Sequence, residues 1–161
     1  TEMWDSEKLE KENMSQVYYD IAQYEKDSLT DQIGYAYIDL NGDGVDELLI
    51  GEVSKKSEPS IIFDIYTMKD RKPAHVVSGW YRNSYYMFEH GTICNNYSNS
   101  AFSSGRAVYD LVHNDTELFL QCDLIYDAGD PEPLSEEEYE QRLSNFGEPV
   151  HINYTPFSKV K

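Results

Sequence analysis

Hydrophobic residues near the start of the chain follow a helical spacing over residues 5–28. Met14, Val17, Tyr18 and Ile21 lie three or four positions apart, the interval that brings side chains onto one face of an α-helix. The other face carries Glu10, Lys11, Glu12, Gln16 and Glu25. The pattern predicts an amphipathic helix whose apolar face docks on a sheet, and the alternative is that this face binds a partner.

The pattern changes to short apolar runs between residues 33 and 127. The runs are rich in Ile, Val, Tyr and Phe and are separated by clusters of Gly, Asn, Asp, Ser or Pro. We predict strands over residues 35–40, 47–53, 61–68, 75–80, 84–89, 92–96, 107–113 and 117–126. Regular short strands joined by brief turns favour an antiparallel β meander, or blade-like sheet. The serine-rich residues 95–105 predict the most mobile loop.

A second helix is predicted over residues 134–146. Ser135 and Glu138 have the spacing of a capping box, and Gly147 can end the helix. A last strand is predicted over residues 150–154. We therefore expect a single α+β domain spanning residues 1–161, in which the N-terminal helix and a short C-terminal helix pack on the sheet.

The charge balance narrows the range of partners. The chain has 13 Lys and Arg against 30 Asp and Glu, a formal net charge of -17. Such a surface repels phosphate backbones and anionic membranes, so we expect no nucleic-acid partner. No apolar run approaches the roughly 18 residues that a membrane-spanning helix needs, so we expect no membrane insertion of this domain.

One short stretch between two predicted strands carries recognisable chemistry. Five oxygen-bearing groups alternate along it: Asp39, Asn41, Asp43, the Val45 carbonyl and Glu47. Gly42 and Gly44 allow the sharp turns that would let these oxygens converge. Oxygen ligands alone suit Ca²⁺, whereas zinc prefers nitrogen and sulfur. The alternative is an acidic hairpin turn, because Asn-Gly and Asp-Gly favour such turns without a metal.

The stretch differs from an EF-hand loop. Ile50 stands at the twelfth position, where an EF-hand has its bidentate Glu, and Asp46 stands at the eighth, where a hydrophobic residue is usual. Both flanks alternate with the period of strands. The loop is therefore predicted to join two strands.

The loop resembles the calcium loops of FG-GAP/VCBS-type repeats, and its five oxygen-bearing groups fall on the ligand positions of that pattern. Glu47 departs from the commoner Asp. The segments YIDLNGDGVDELLIG, IYTMKDRK and LSEEEYEQRL are similar to those of uncharacterised exported or lipid-anchored proteins of Gram-positive bacteria. The resemblance implies a calcium-binding domain outside the cell or at its surface, and it implies no catalytic residues. The chain is too short for a complete propeller.

The function expected from the sequence is an extracellular calcium-binding module, with a structural Ca²⁺ site, that interacts with a protein or a glycan. The alternatives are a secreted hydrolase with a cleft in the sheet region and a passive spacer domain. Cys94 and His113 could serve a hydrolase as nucleophile and base, but all four histidines are expected to be ordinary strand or turn residues.

Two further features are open to more than one interpretation. Cys94 and Cys122 lie in separate predicted strands, and they form either a disulfide across the sheet or two buried thiols. The aromatic residues between 80 and 88 form either a binding surface or part of the core. Period-two alternation would place Trp80 and Tyr86 inside and Tyr81 and Tyr85 in solvent.

Overall fold

The computed structural model describes residues 29–53, 59–80, 82–127, 129–131 and 134–160. The helix predicted over residues 5–28 lies outside the described residues. The strands are β1 (Ile33–Ile38), β2 (Glu47–Glu52), β3 (Ile62–Lys69), β4 (Lys72–Ser78), β5 (Asn83–Met87), β6 (Ile93–Ser98), β7 (Ser103–Leu111), β8 (Leu118–Asp127) and β9 (Thr155–Pro156). The α-helices are α1 (Leu29–Gln32) and α2 (Glu136–Ser144). Among the helices described, none has the length and apolar character needed to cross a lipid bilayer.

All nine strands of the described ranges belong to one antiparallel sheet, which confirms the predicted antiparallel architecture. The order is β8-β7-β6-β5-β3-β2-β1-β9, and β4 pairs with β3 outside this path. β2 occupies one edge of β3. The other edge of β3 pairs with β4 along most of its length and with β5 at Ile62. The sheet therefore forks at β3 instead of continuing as a simple meander.

The prediction of a mobile loop over residues 95–105 is wrong. Most of these residues form the β6–β7 hairpin, in which Tyr97 pairs with Gly105 and Ser98 pairs with Ser104. The Tyr97 ring lies over Gly105, where an added Cβ would come 2.5 Å from the Tyr97 hydroxyl oxygen. The small residues are strand positions that accommodate a neighbouring ring, and composition alone does not distinguish this packing from a loop.

The strand predicted over residues 150–154 is also misplaced. The strand that forms is β9, whose Thr155 and Pro156 pair with Tyr35 and Gly34 of β1. The preceding segment makes isolated hydrogen bonds to other parts of the chain: Val150 N–H donates to the Met87 carbonyl, and Ile152 N–H donates to Ser60 Oγ. Ile152 and Tyr154 are buried in the main core. Their apolar alternation reflects this burial and not a strand ladder.

Helix α2 is capped as the sequence predicts, and it is two residues shorter at each end than the predicted range 134–146. Ser135 caps it by accepting the Glu138 N–H, and the Glu138 carboxylate accepts the Ser135 N–H in return. Gly147 follows the helix with a φ of +89°. The buried Leu143 packs into a cluster with Cys94, Val108, Leu124 and Phe88. The helix thus covers one face of the β6–β8 part of the sheet.

The predicted orientation of the aromatic stretch is wrong at Trp80 and Tyr85, whereas Tyr86 is partly buried against the cluster around Cys94. Trp80 is 56% exposed and Tyr85 is 6% exposed, and Tyr81 lies outside the described residues. Trp80 and Asn83 pair with each other in an isolated antiparallel bridge. The inward and outward alternation of side chains therefore does not continue from Trp80 into β5. Tyr85 then pairs with Ile62 of β3 and enters the main core.

Candidate metal centre

The predicted calcium loop connects β1 to β2. Ile38 pairs with Glu47, so the eight intervening residues form a loop closed by the ladder of the hairpin. Gly42 and Gly44 have φ values of +74° and +85°. Side chains with a Cβ rarely adopt this left-handed conformation, so the two glycines give the loop its shape.

The Asp39 carboxylate is the centre of the loop's hydrogen bonding. Its Oδ1 accepts the Gly42 N–H at 2.8 Å and the Asp43 N–H at 3.2 Å, and its Oδ2 accepts the Gly44 N–H at 3.0 Å. Three backbone donors therefore surround one charged side chain. These bonds hold the backbone of the loop around Asp39.

The side chains of Asn41 and Asp43 also accept backbone N–H groups of the loop. Asn41 Oδ1 accepts the Asp43 N–H at 3.1 Å, and Asp43 Oδ1 accepts the Val45 N–H at 2.8 Å. Each side chain thus bonds to the backbone two residues ahead of it, as in an Asx turn. The Val45 side chain is exposed, and its predicted contribution is the backbone carbonyl.

Glu47 occupies a different environment, because its side chain is fully buried. Its Oε2 accepts the Leu40 N–H and its Oε1 accepts the Thr67 hydroxyl, both at 2.9 Å. Burial raises the pKa of Glu47; the two hydrogen bonds oppose this shift, and the nearby Asp43 and Asp39 carboxylates add to it. No ion pair joins Glu47 to a Lys, Arg or His of the described residues.

Two contacts from distant parts of the chain hold the loop in place. The Asn41 carbonyl lies 2.8 Å from His113 Nε2, just beyond β7. Gly91, with a φ of +84°, approaches the Leu40 carbonyl so closely that a Cβ there would lie 2.0 Å from its oxygen. The loop is therefore packed between the β5–β6 and β7–β8 connections. An open cleft of about 640 Å³ lies beside it, with Asp110, His90 and Leu111 among its lining residues.

The donor set suits a hard cation, but the side chains do not form a closed ligand shell. A carboxylate has about four acceptor sites, so Asp43 and Glu47 keep free lone pairs beyond the bonds described above. The buried Asn41 Nδ2 has no hydrogen-bond partner. Within the described ranges, no group of three or more His, Cys, Asp or Glu side chains is placed so that it could hold a metal ion. The five calcium ligands therefore stay a prediction.

The sequence analysis did not predict the residues outside the loop that form hydrogen bonds with it. Thr67 is 20 positions from Glu47, and His113 is 72 positions from Asn41. No local motif connects such positions, because only the strand register brings them together. The one signal in the sequence is Thr67 itself, a polar residue that stands beside Met68 in a mostly buried strand.

The two cysteines are free thiols. Cys94 of β6 and Cys122 of β8 both pair with Val108 of β7, so one strand separates them. Two strand spacings amount to about 9.6 Å, beyond the Cα separation that a disulfide spans. Burial raises the pKa of the Cys94 thiol to about 11, which keeps it protonated at neutral pH. This protonation argues against Cys94 as a nucleophile.

A serine, a histidine and an aspartate also meet on β3 and β4. Ser78 Oγ donates to Asp64 Oδ1 at 2.5 Å and lies 2.9 Å from His75 Nε2. The same ring nitrogen is 3.3 Å from Asp64 Oδ1. In a catalytic triad the serine and the carboxylate bind opposite ring nitrogens, so this arrangement does not relay a proton. It surrounds a fully buried carboxylate with polar groups.

No protein-family model, no curated protein and no solved structure matches the chain.

Proposed function

We propose that this chain is an extracellular calcium-binding module in which one Ca²⁺ fastens the β1–β2 hairpin. The observation that carries the proposal is the buried Glu47 carboxylate, whose pKa the Asp43 and Asp39 carboxylates raise and which forms no ion pair with a cationic side chain of the described residues. Grouping negative charges near a buried carboxylate is unfavourable, and a divalent cation held by their oxygens would relieve it.

The loop's position supports a structural role for the ion. With Asp39, Asp43 and Glu47 ionised, a bound Ca²⁺ would leave the site with one net negative charge. If the Kd were about 0.1 mM, about 1 mM Ca²⁺ would stabilise the fold by about 1.4 kcal/mol. Such an ion would strengthen the loop's contacts with His113 and the β5–β6 connection. Ca²⁺ supplies little activation of water compared with Zn²⁺, so we propose no catalysis at the loop.

The proposed compartment is one in which a calcium site of the assumed affinity would be filled. Extracellular calcium modules bind in the range of about 0.1–1 mM, which calcium concentrations outside the cell can fill. We therefore propose that the domain is exported and acts in a secreted or surface-anchored protein. Its role there is to interact with a protein or a glycan. The apolar spacing over residues 5–28 of the sequence supports the finer proposal of an α+β architecture, in which that predicted helix would dock on the sheet.

The proposal is tested by thermal unfolding in calcium and in EDTA. For a chain of this size, about 1.4 kcal/mol corresponds to a rise in Tm of about 3–6 °C. Asp39→Ala and Asp43→Ala should remove this rise. Asp46→Ala is the matched control, because Asp46 is an exposed carboxylate of the same loop outside the ligand pattern. An equal calcium-dependent rise in all three variants would overturn the proposed site.

A further inference from the structure

The described strands give the sheet three outer edges, and two of them carry features that block further pairing. β9 is only two residues long and ends in Pro156. β4 begins with the exposed pair Lys72 and Pro73. Short strands, lysine and proline are the usual means by which proteins keep a sheet edge from pairing with another chain.

The third edge, β8, has none of these features. It is ten residues long and contains no Lys, Arg or Pro. Within the described residues no strand lies on its outer side. A bulge opposite Val108 and Tyr109 interrupts the ladder once, and Cys122–Asp127 beyond it remain in regular register with β7. A strand edge of this length, regular over six residues, is suited to accept another strand.

Exposed apolar side chains accompany this edge on both faces. Phe119, Leu120, Ile125 and Tyr126 are 59%, 48%, 52% and 51% exposed, and Phe102 in the adjacent β6–β7 turn is 71% exposed. Apolar groups at an open edge supply the side-chain contacts that a paired strand needs in addition to its backbone hydrogen bonds. We call β8 together with Phe102 the β8 edge.

The charge along the β8 edge favours a basic partner over a second copy of this chain. Glu117, Asp123 and Asp127 are exposed acids on or next to the strand. Pairing two copies of this chain through β8 would bring the same acids together on molecules that each carry a net charge of -17. A basic strand would instead place opposite charges across the ladder.

We propose that the β8 edge binds an extended, basic segment of a partner protein, in which lysine or arginine alternates with apolar residues. The segment adds to the sheet as a strand beside β8. This inference rests on the interaction role proposed above and names its surface and partner class. It does not involve the calcium loop, so binding is expected in EDTA as well as in calcium.

The test uses a labelled peptide of alternating lysine and valine as the probe, with binding followed by fluorescence anisotropy in EDTA. The double variant with Leu120→Lys and Ile125→Lys should bind about tenfold more weakly, because two cross-strand contacts are lost. The matched control carries Met68→Lys and Val160→Lys, which make the same charge change at exposed apolar residues away from β8. It should bind nearly as well as the wild type.

Two further measurements separate strand addition from charge attraction alone. The same peptide with N-methylated backbone amides keeps its charge but cannot pair, and it should bind weakly. Hydrogen exchange should show that the unmodified peptide protects β8 amides. Absence of binding, equal binding by both double variants, or binding of the methylated peptide at full strength would overturn the proposal. So would a β8-paired homodimer in sedimentation experiments on the protein alone.

Discussion

At the scale of single residues, Glu47 is the residue of the candidate site whose burial depends most on hydrogen-bond donors. Its buried carboxylate is held by one backbone donor from the loop and one hydroxyl from β3. Hydrogen bonds to a charged group stabilise a protein more than bonds between neutral groups, because the unpaired charge would be costly to bury. The loop and the core strand β3 are thus coupled through this one side chain.

Replacing the hydroxyl of Thr67 tests that coupling. Thr67→Val keeps the shape of the side chain and leaves Glu47 Oε1 without its donor. We expect a loss of about 1.5–3 kcal/mol in the free energy of unfolding, measured by urea denaturation in EDTA. Thr155→Val, at an exposed threonine of β9, should change stability by less than about 0.5 kcal/mol. Similar small effects at both positions would contradict the assigned role of Thr67.

The thiols offer a second test at this scale. With its pKa raised to about 11, buried Cys94 should react slowly with iodoacetamide at pH 8, since the thiolate is the reactive form. The folded Cys122→Ala variant, which retains Cys94, should label far more slowly than the same variant in urea. Rapid labelling of folded Cys122→Ala would contradict the described burial.

A raised pKa of the Cys94 thiol in the folded state also means that the free energy of unfolding falls as pH rises from about 9 towards 11.

At the scale of elements, α2 shows a helix whose boundaries are set by side chains at its two ends. The capping box satisfies backbone donors that would otherwise lack partners, and the hydrogen bonds from Ser135 lower the pKa of Glu138. The helix covers the cluster around Cys94 and Val108, so its stability contributes to the β6–β8 part of the sheet.

Removing the cap should weaken this unit. Ser135→Ala is expected to lower the free energy of unfolding by about 1 kcal/mol, measured by chemical denaturation at neutral pH. Ser144→Ala serves as the control, because Ser144 is exposed at the other end of the helix and bonds only within its last turn. An effect of Ser135→Ala no larger than that of the control would show that the cap is unimportant.

The comparison of these elements with the sequence shows where local patterns suffice. The α2 cap, the β1–β2 hairpin and its glycines depend on neighbours in the chain, and the sequence predicts them. In the β6–β7 hairpin the Tyr97 ring packs on Gly105, and the segment from 150 to 154 bonds to the distant Ser60; residue composition reveals neither contact. In the candidate site, the loop's own residues were identifiable, whereas Thr67, His113 and Gly91 reach it only through the fold.

At the scale of the whole molecule, the acidic surface affects stability and therefore decides how a calcium effect must be measured. A net charge of -17 destabilises a compact fold through self-repulsion, and bound cations reduce that repulsion. General screening by salt also reduces it, so a stabilising effect of calcium is informative only against another divalent cation at equal ionic strength. Magnesium is the appropriate comparison, because it demands a smaller and more regular oxygen shell.

The measurement that tests the central claim most directly is a calorimetric titration of the wild-type chain with Ca²⁺, beside Mg²⁺ at matched ionic strength and the Asp39→Ala variant. We predict one calcium site per chain with a Kd on the order of 0.1 mM, weaker magnesium binding and no saturable calcium binding by the variant. Absence of saturable binding at millimolar calcium, or tighter binding of magnesium than of calcium, would contradict a calcium site in the β1–β2 loop.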